Sequence, residues 1–140
     1  MASGKPGAVH PHAVIICDLD HFKSINDTYG HHIGDLVIQS FGELLRNYAP
    51  ATSATGRIGG EEFAVFLPST PLDTALSLAQ TLRKATTTIE GLPLRPTASF
   101  GVASLSAASD LQDAYRRADK ALYEAKNSGR DRVKLAMSHA

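Results

Sequence analysis

Arg57-Ile58-Gly59-Gly60-Glu61-Glu62-Phe63, running on into Ala64-Val65-Phe66-Leu67, is the stretch that decides the fold. Two strand-like runs flank a Gly-Gly pair, and that reads as a β-hairpin, because glycine accepts the positive φ such turns need. Upstream, Val14-Ile15-Ile16-Cys17 is a short β-branched run that stops at Asp18-Leu19-Asp20. Its length predicts a buried strand rather than a helix. Between the two, apolar residues at 33, 37, 41, 44, 45 and 48 keep helical spacing until Pro50 closes the segment.

Downstream of the hairpin, Thr70-Pro71-Leu72-Asp73 predicts a helix start, with Thr70 as N-cap and Pro71 in the first helical position. Apolar residues at 72, 75, 76, 79, 82 and 89 give that helix one buried face, and Gly91-Leu92-Pro93 breaks it. Thr97 to Ala103 reads as a central strand. Ser109 with Gln112 resembles a capping box for a helix that ends near Ser128-Gly129, and Arg132 to Leu135 alternates like an edge strand. The order is therefore β-α-β-β-α-β followed by α-β. This predicts an α+β fold with a ferredoxin-like βαββαβ core and an additional C-terminal α-β. The core implies an antiparallel sheet with helices mainly on one face.

The chain of 140 residues suits one domain, with 43% hydrophobic residues for a core and 20% charged. We expect residues 1–12 to form a flexible lead-in, 13–136 the domain and 137–140 a tail. His10, His12, His32 and His139 are expected to be solvated. Lys plus Arg and Asp plus Glu both total 14, so nothing points to a nucleic-acid polymer as partner. No stretch approaches the ~20 apolar residues of a membrane span, and no signal peptide is read at the start, so no membrane contact is expected. Cys17, alone in an apolar run, is expected to be a small buried hydrophobe in a reducing, cytoplasmic setting.

Strand order in such a core puts the end of the first strand beside the hairpin tip. Asp18 and Asp20 then meet Glu61 and Glu62. Clustered carboxylates repel unless a cation or protons neutralise them, and hard oxygen ligands suit Mg2+ with its retained waters and phosphate oxygens. An ordinary solvated acidic turn is the plain alternative. The turn His21-Phe22-Lys23 leads into a short helical segment whose free N–H groups, with Lys23, make an anion site. Lys126 and Arg130 bracket Ser128-Gly129 and either hold phosphate or complement a helix C-terminus.

Four blocks resemble the GGDEF family. Gly59-Gly60-Glu61-Glu62-Phe63 is similar to its signature in the GGEEF form. The run from Asp18 to His31, with Gly34-Asp35, resembles its D-x-D-x-F-K-x-I-N-D-x-x-G-H-x-x-G-D block. Thr97-x-Ser99-x-Gly101 and Ala118-Asp119-x-Ala121-Leu-Tyr-x-Ala125-Lys126-x-x-Gly129-Arg130 resemble the two later ones. The similarity runs from about residue 14 to residue 135.

The resemblance implies a diguanylate cyclase that joins two GTP into cyclic di-GMP and two pyrophosphates, using Mg2+ or Mn2+ in its place. Each subunit of a homodimer would hold one GTP in a half-site. By position, Asp18, the Leu19 carbonyl and Glu61 bind metal. Asp18, Glu61 and Glu62 form the catalytic centre, and which glutamate assists deprotonation of the 3′-hydroxyl stays open. Phe22 and Lys23 cradle the β- and γ-phosphates with Lys126 and Arg130. Asn26 and Asp35 read guanine, since a carboxylate accepts from both N1–H and N2–H2; the alternative is that Asp35 only favours a helix start.

The chain departs from the family pattern twice. Pro50 and Ser53 stand where many members carry the Arg-x-x-Asp product site, so no product inhibition is expected there. About a dozen residues precede the first strand, and none match the family's usual D-x-L-T-x-L-x-N-R block. The alternative to an active cyclase is therefore a weak or inactive module that binds GTP or cyclic di-GMP without turnover.

Overall fold

The computed structural model describes residues 11–137. The expected lead-in over 1–10, with His10, and the end of the expected tail, with His139, lie outside the described residues. The elements are β1 (His12–Leu19), α1 (Phe22–Tyr29), α2 (His31–Tyr48), β2 (Ala54–Gly59), β3 (Glu62–Leu67), α3 (Leu72–Thr86), β4 (Ala98–Leu105), α4 (Leu111–Asn127) and β5 (Val133–Leu135). They form an α+β fold around one five-stranded sheet of order β2-β3-β1-β4-β5. β1 begins at His12, inside the expected lead-in. The His12 ring is engaged there, with Nδ1 accepting from the Ser69 amide at 2.9 Å.

β1 is central because both of its faces are apolar. Ala13, Ile15, Cys17 and Leu19 point into one core with Phe41, Leu45, Val65, Leu82 and Phe100. Val14 and Ile16 point into a second core with Ala103, Ala114, Ala118 and Leu122. In the first core, the Phe41 ring meets those of Phe63 and Phe100 edge-on, at 5.4 and 6.4 Å between centroids. Such pairs add about 0.5–1.5 kcal/mol beyond area burial.

Two features of the sheet come from the additional C-terminal α-β. The core helices α2 and α3 share one face, as expected, and α4 covers the opposite one, so that helices pack around the sheet. A one-sided layer would leave Val14, Ile16 and Ala103 in water, at about 1.5–3 kcal/mol for each larger side chain. β5 also pairs parallel to β4, while the other three pairings are antiparallel. A strand that returns to its neighbour over a crossover helix arrives parallel.

Three local expectations are also overturned. The hairpin forms, with Gly59 paired to Glu62, but neither Gly59 nor Gly60 takes a positive φ. A register shift between Arg57 and Gly59 supplies the extra twist instead. Thr70 does not cap α3. Its hydroxyl donates to the Pro68 carbonyl at 2.9 Å, and Pro71 is the N-cap. Ser109 lies in a short 3-10 turn before α4 and caps nothing; the N-cap is Asp110. Helix α3 stops at Thr86 rather than running to Ile89. There Thr86, Thr87 and Thr88 each turn a hydroxyl back onto a carbonyl of the preceding turn.

α4 lies close on β4 because its inner face is built of Ala114, Ala118, Ala121 and Ala125. A Cβ on Gly101 would collide with the Ala118 carbonyl and the Leu122 amide. Gly101 is therefore the point at which helix and strand backbones touch.

Candidate active site

Two chain segments about forty residues apart in sequence come together at one end of the sheet. Asp18 faces Glu62 in the β1–β3 register, and the Leu19 amide donates to the Glu61 carbonyl at 3.4 Å. Lys126, near the end of α4, meets β1 on the face that α4 covers and places Nζ 3.0 Å from Asp18 Oδ2. Asp18, Glu61, Glu62 and Lys126 thus share one site.

The site is electrostatically uneasy. Burial pushes the Asp18 carboxyl up to about 6; the Lys126 ammonium pulls it back, and Glu61 and Asp20 add to the rise. Burial pushes Glu62 up to about 7, reinforced by Asp119, which hydrogen-bonds it, and by Asp18. More negative charge is gathered here than one lysine balances. Asp18 Oδ1 is buried and has no hydrogen-bond partner. A buried acceptor left open is uncommon in a folded protein. A hard divalent cation would fill it, completing its shell from the neighbouring glutamate, a backbone carbonyl, water and phosphate oxygens. Among the described residues no three acidic, histidine or cysteine side chains form a ready-made metal cage.

Asp20 does not join this cluster, contrary to the sequence reading. It is 3% exposed, and both its oxygens accept from donors: the hydroxyls of Thr97, just before β4, and of Ser99 in β4, and the Asp131 amide in the turn after α4. Cys17 is fully buried, with its thiol pushed well up by burial, as a small inert hydrophobe.

The turn after β1 is tight. His21 takes φ 55°, and α1 begins at Phe22 with no side chain capping its first N–H groups. Lys23 is exposed and only loosely paired with Asp27, at 3.9 Å. In the turn after α4, Arg130 sits in a left-handed conformation with Nε buried and without a partner.

Asp35 lines a cavity on the α2 side of the hairpin, and Asn26 lies against the neighbouring Gly34. Asn26 Oδ1 is buried without a partner and lies over Gly34, where any Cβ would overlap it. The cavity, about 470 Å3, is lined by Asp35, Ile38, Gln39, Gly42, Arg57 and Phe63, among others. Asp35 is the fifth residue of α2, beyond the first turn. The helix dipole acts mainly within that turn, so a mere helix-start role explains Asp35 poorly.

Sequence reasoning missed Asp119 and Gly34 as parts of the site. The signal for Asp119 was its place seven residues before Lys126, which puts both on one helix face. Nothing local announced that Gly34 clears space for Asn26.

With this geometry in hand, the comparisons are direct. The family model "Diguanylate cyclase, GGDEF domain" matches residues 5–132. The chain belongs to the GGDEF domain family. It is 46% identical over 127 residues to diguanylate cyclase DgcM of Escherichia coli K12, covering 89% of this chain and 31% of that protein. It is 37% identical over 134 residues to diguanylate cyclase A of Treponema denticola, covering 91% and 36%. The chain thus spans about a third of these curated relatives. Among solved structures, the active GGEEF domain of a Vibrio cholerae diguanylate cyclase superposes with TM-score 0.86 at 35% identity, covering 93% of this chain and 85% of that one. The GGDEF domain of Caulobacter crescentus DgcB, solved with c-di-GMP, gives 0.84 at 30%, covering 98% and 84%. No helix among the described residues is long and apolar enough to cross a membrane.

Proposed function

We propose that this chain is the catalytic domain of a diguanylate cyclase, condensing two GTP into cyclic di-GMP with release of two pyrophosphates. The observation that carries the reading is the open Asp18 Oδ1 beside Glu61 and Glu62, at a strand end where Lys126 alone offsets three carboxylates. Asp18, Glu61 and the Leu19 carbonyl would hold Mg2+, or Mn2+ in its place. Once bound, the ion neutralises phosphate charge and polarises the phosphoryl group.

The chain's own residues divide the remaining work. The uncapped first turn of α1, with Phe22 and Lys23, holds the β- and γ-phosphates, and Lys126 and Arg130 close over them. Asn26 and Asp35 hold the guanine edge, Asp35 from the wall of the cavity. Gly59 and Gly60 have open space where a Cβ would stand and no special φ, so the fold itself does not demand glycine there. Close approach of the nucleotide does. One chain presents one such half-site, so turnover takes a homodimer that sets two GTP molecules face to face. Each 3′-hydroxyl then attacks the other α-phosphate in line. The glutamates carry the proton away, and Glu62, held up to about 7 beside Asp119, is tuned to the range where a carboxylate accepts one. The lone buried thiol of Cys17 fits a cytoplasmic setting.

The test is incubation of the purified chain with GTP and Mg2+, followed by chromatography and mass analysis for cyclic di-GMP and an assay for pyrophosphate. Both products are expected, and Asp18→Asn should abolish both. GTP binding without product at dimer-forming concentrations would leave only a binding module.

A further inference from the structure

We propose that Asp20 is a positioning residue for the triphosphate, acting through the turn that carries Arg130; the inference rests on the reading that Arg130 contacts phosphate. Asp20 is almost wholly buried, and no cation pairs with it among the described residues. A buried carboxylate without a cation must be held by donors. Asp20 has three. Ser99 Oγ donates to Oδ1 at 2.7 Å, Thr97 Oγ1 to Oδ2 at 2.7 Å, and the Asp131 amide to Oδ2 at 2.9 Å. Its own amide donates to the Thr97 carbonyl at 2.9 Å.

The third donor matters most, because the turn it belongs to is strained. Gly129, Arg130 and Asp131 have φ of 126°, 64° and 46° in succession. Left-handed backbone at two consecutive non-glycine residues persists only where the surroundings impose it. The Arg130 amide reaches the Ala125 carbonyl at 2.9 Å, and Arg83 pairs with Asp131 at 3.2 Å. Both contacts tie the turn to helices. The Asp20 bond ties it to the residue that follows β1, two positions from Asp18. Arg130 Nε is buried without a hydrogen-bond partner, so the backbone turn is the part of this residue whose anchoring the structure shows. Asp20 therefore couples the acidic strand end to the phosphate arginine and fixes the spacing between them.

Calorimetric or NMR titration with two probes, GTP in Mg2+ and guanosine, tests this on the full chain. Asp20→Ala should weaken GTP by about tenfold or more and leave guanosine unchanged. Asp20→Asn keeps an acceptor for Thr97 and Asp131 while Ser99 can turn to accept from the amide, so it should lose only about threefold. In an Arg130→Ala background, Asp20→Ala should cost GTP nothing further, because its effect travels through Arg130. Equal loss for GTP and guanosine, or losses that simply add to Arg130→Ala, would overturn the inference while the phosphate role of Arg130 stood. If Arg130→Ala itself leaves GTP binding intact, it is the triphosphate reading that fails. Should Asp20→Ala not fold, Asp20→Asn carries the same test, and an Asn variant that binds GTP as the parent does overturns it.

Discussion

Lys126 Nζ lies 3.0 Å from Asp18 Oδ2, a contact between the end of α4 and the end of β1. Among the described residues it is the cation that pairs directly with Asp18. Even so, Asp18 and Glu62 are pushed up to about 6 and about 7.

A pH dependence follows. For a carboxyl whose folded value is raised, the native state holds its proton where the unfolded chain has lost it. That contribution to stability is complete below about pH 4 and is lost as pH rises through about 6 for Asp18 and about 7 for Glu62. Thermal melts in a chelator should therefore lose a few degrees between pH 5 and 8 from these groups, about 1–2 kcal/mol after allowing for the solvent that reaches them. Excess Mg2+ should restore the loss at pH 8 and have little effect at pH 5. A Mg2+ effect equal at both pH values would remove Asp18 and Glu62 as the ion's seat.

The proposed function has Asp35 set base selectivity. Asp35→Ala should weaken GTP binding by about 10- to 100-fold, the worth of one charge-assisted contact, and leave the weak binding of ATP where it was. Gly34→Ala should act in the same direction, since a new Cβ would displace the Asn26 side chain. Parallel losses for both nucleotides would sink the assignment.

Gly101→Ala is a prediction about the scaffold alone. The added methyl meets helix backbone at Ala118 and Leu122, which has no rotamer to change. Urea denaturation should show a loss of about 1–3 kcal/mol or more. An equal shift for Gly56→Ala, where a Cβ meets nothing, would mean that generic strand effects rather than this contact set the cost.

Product should not inhibit turnover through the turn after α2. Pro50 and Ser53 close on each other, with the Ser53 amide and hydroxyl both donating to the Pro50 carbonyl at 2.9 and 2.6 Å. No charged side chain is present at either position to meet a phosphate. Steady-state rates should be unchanged by added cyclic di-GMP in the low micromolar range, and strong inhibition that survives substitution of the half-site would contradict this.

The element order and the meeting of Asp18 with Glu61 and Glu62 were legible because each rests on local pattern and on the strand order that a βαββαβ core dictates. What could not be read depends on partners distant in sequence. Asp20 looks like a second ligand beside Asp18, yet its donors lie 77, 79 and 111 residues away. Thr70 and Ser109 have cap chemistry, but their hydroxyls and backbone are committed to neighbouring turns. The side on which α4 lies was hidden because β1 and β4 are apolar on both faces, so alternation gave no direction.

The backbone contact at Gly101 has a consequence for how this domain can diverge. With α4 seated on the sheet through alanines and a glycine, the reach of Lys126 is fixed by the inner surface alone. Arg116, Lys120, Tyr123 and Glu124 point outward and take no part in that seating. This outer stripe is free to be rewritten, by drift or by an engineer grafting a new regulatory contact, while the lysine stays in register with Asp18.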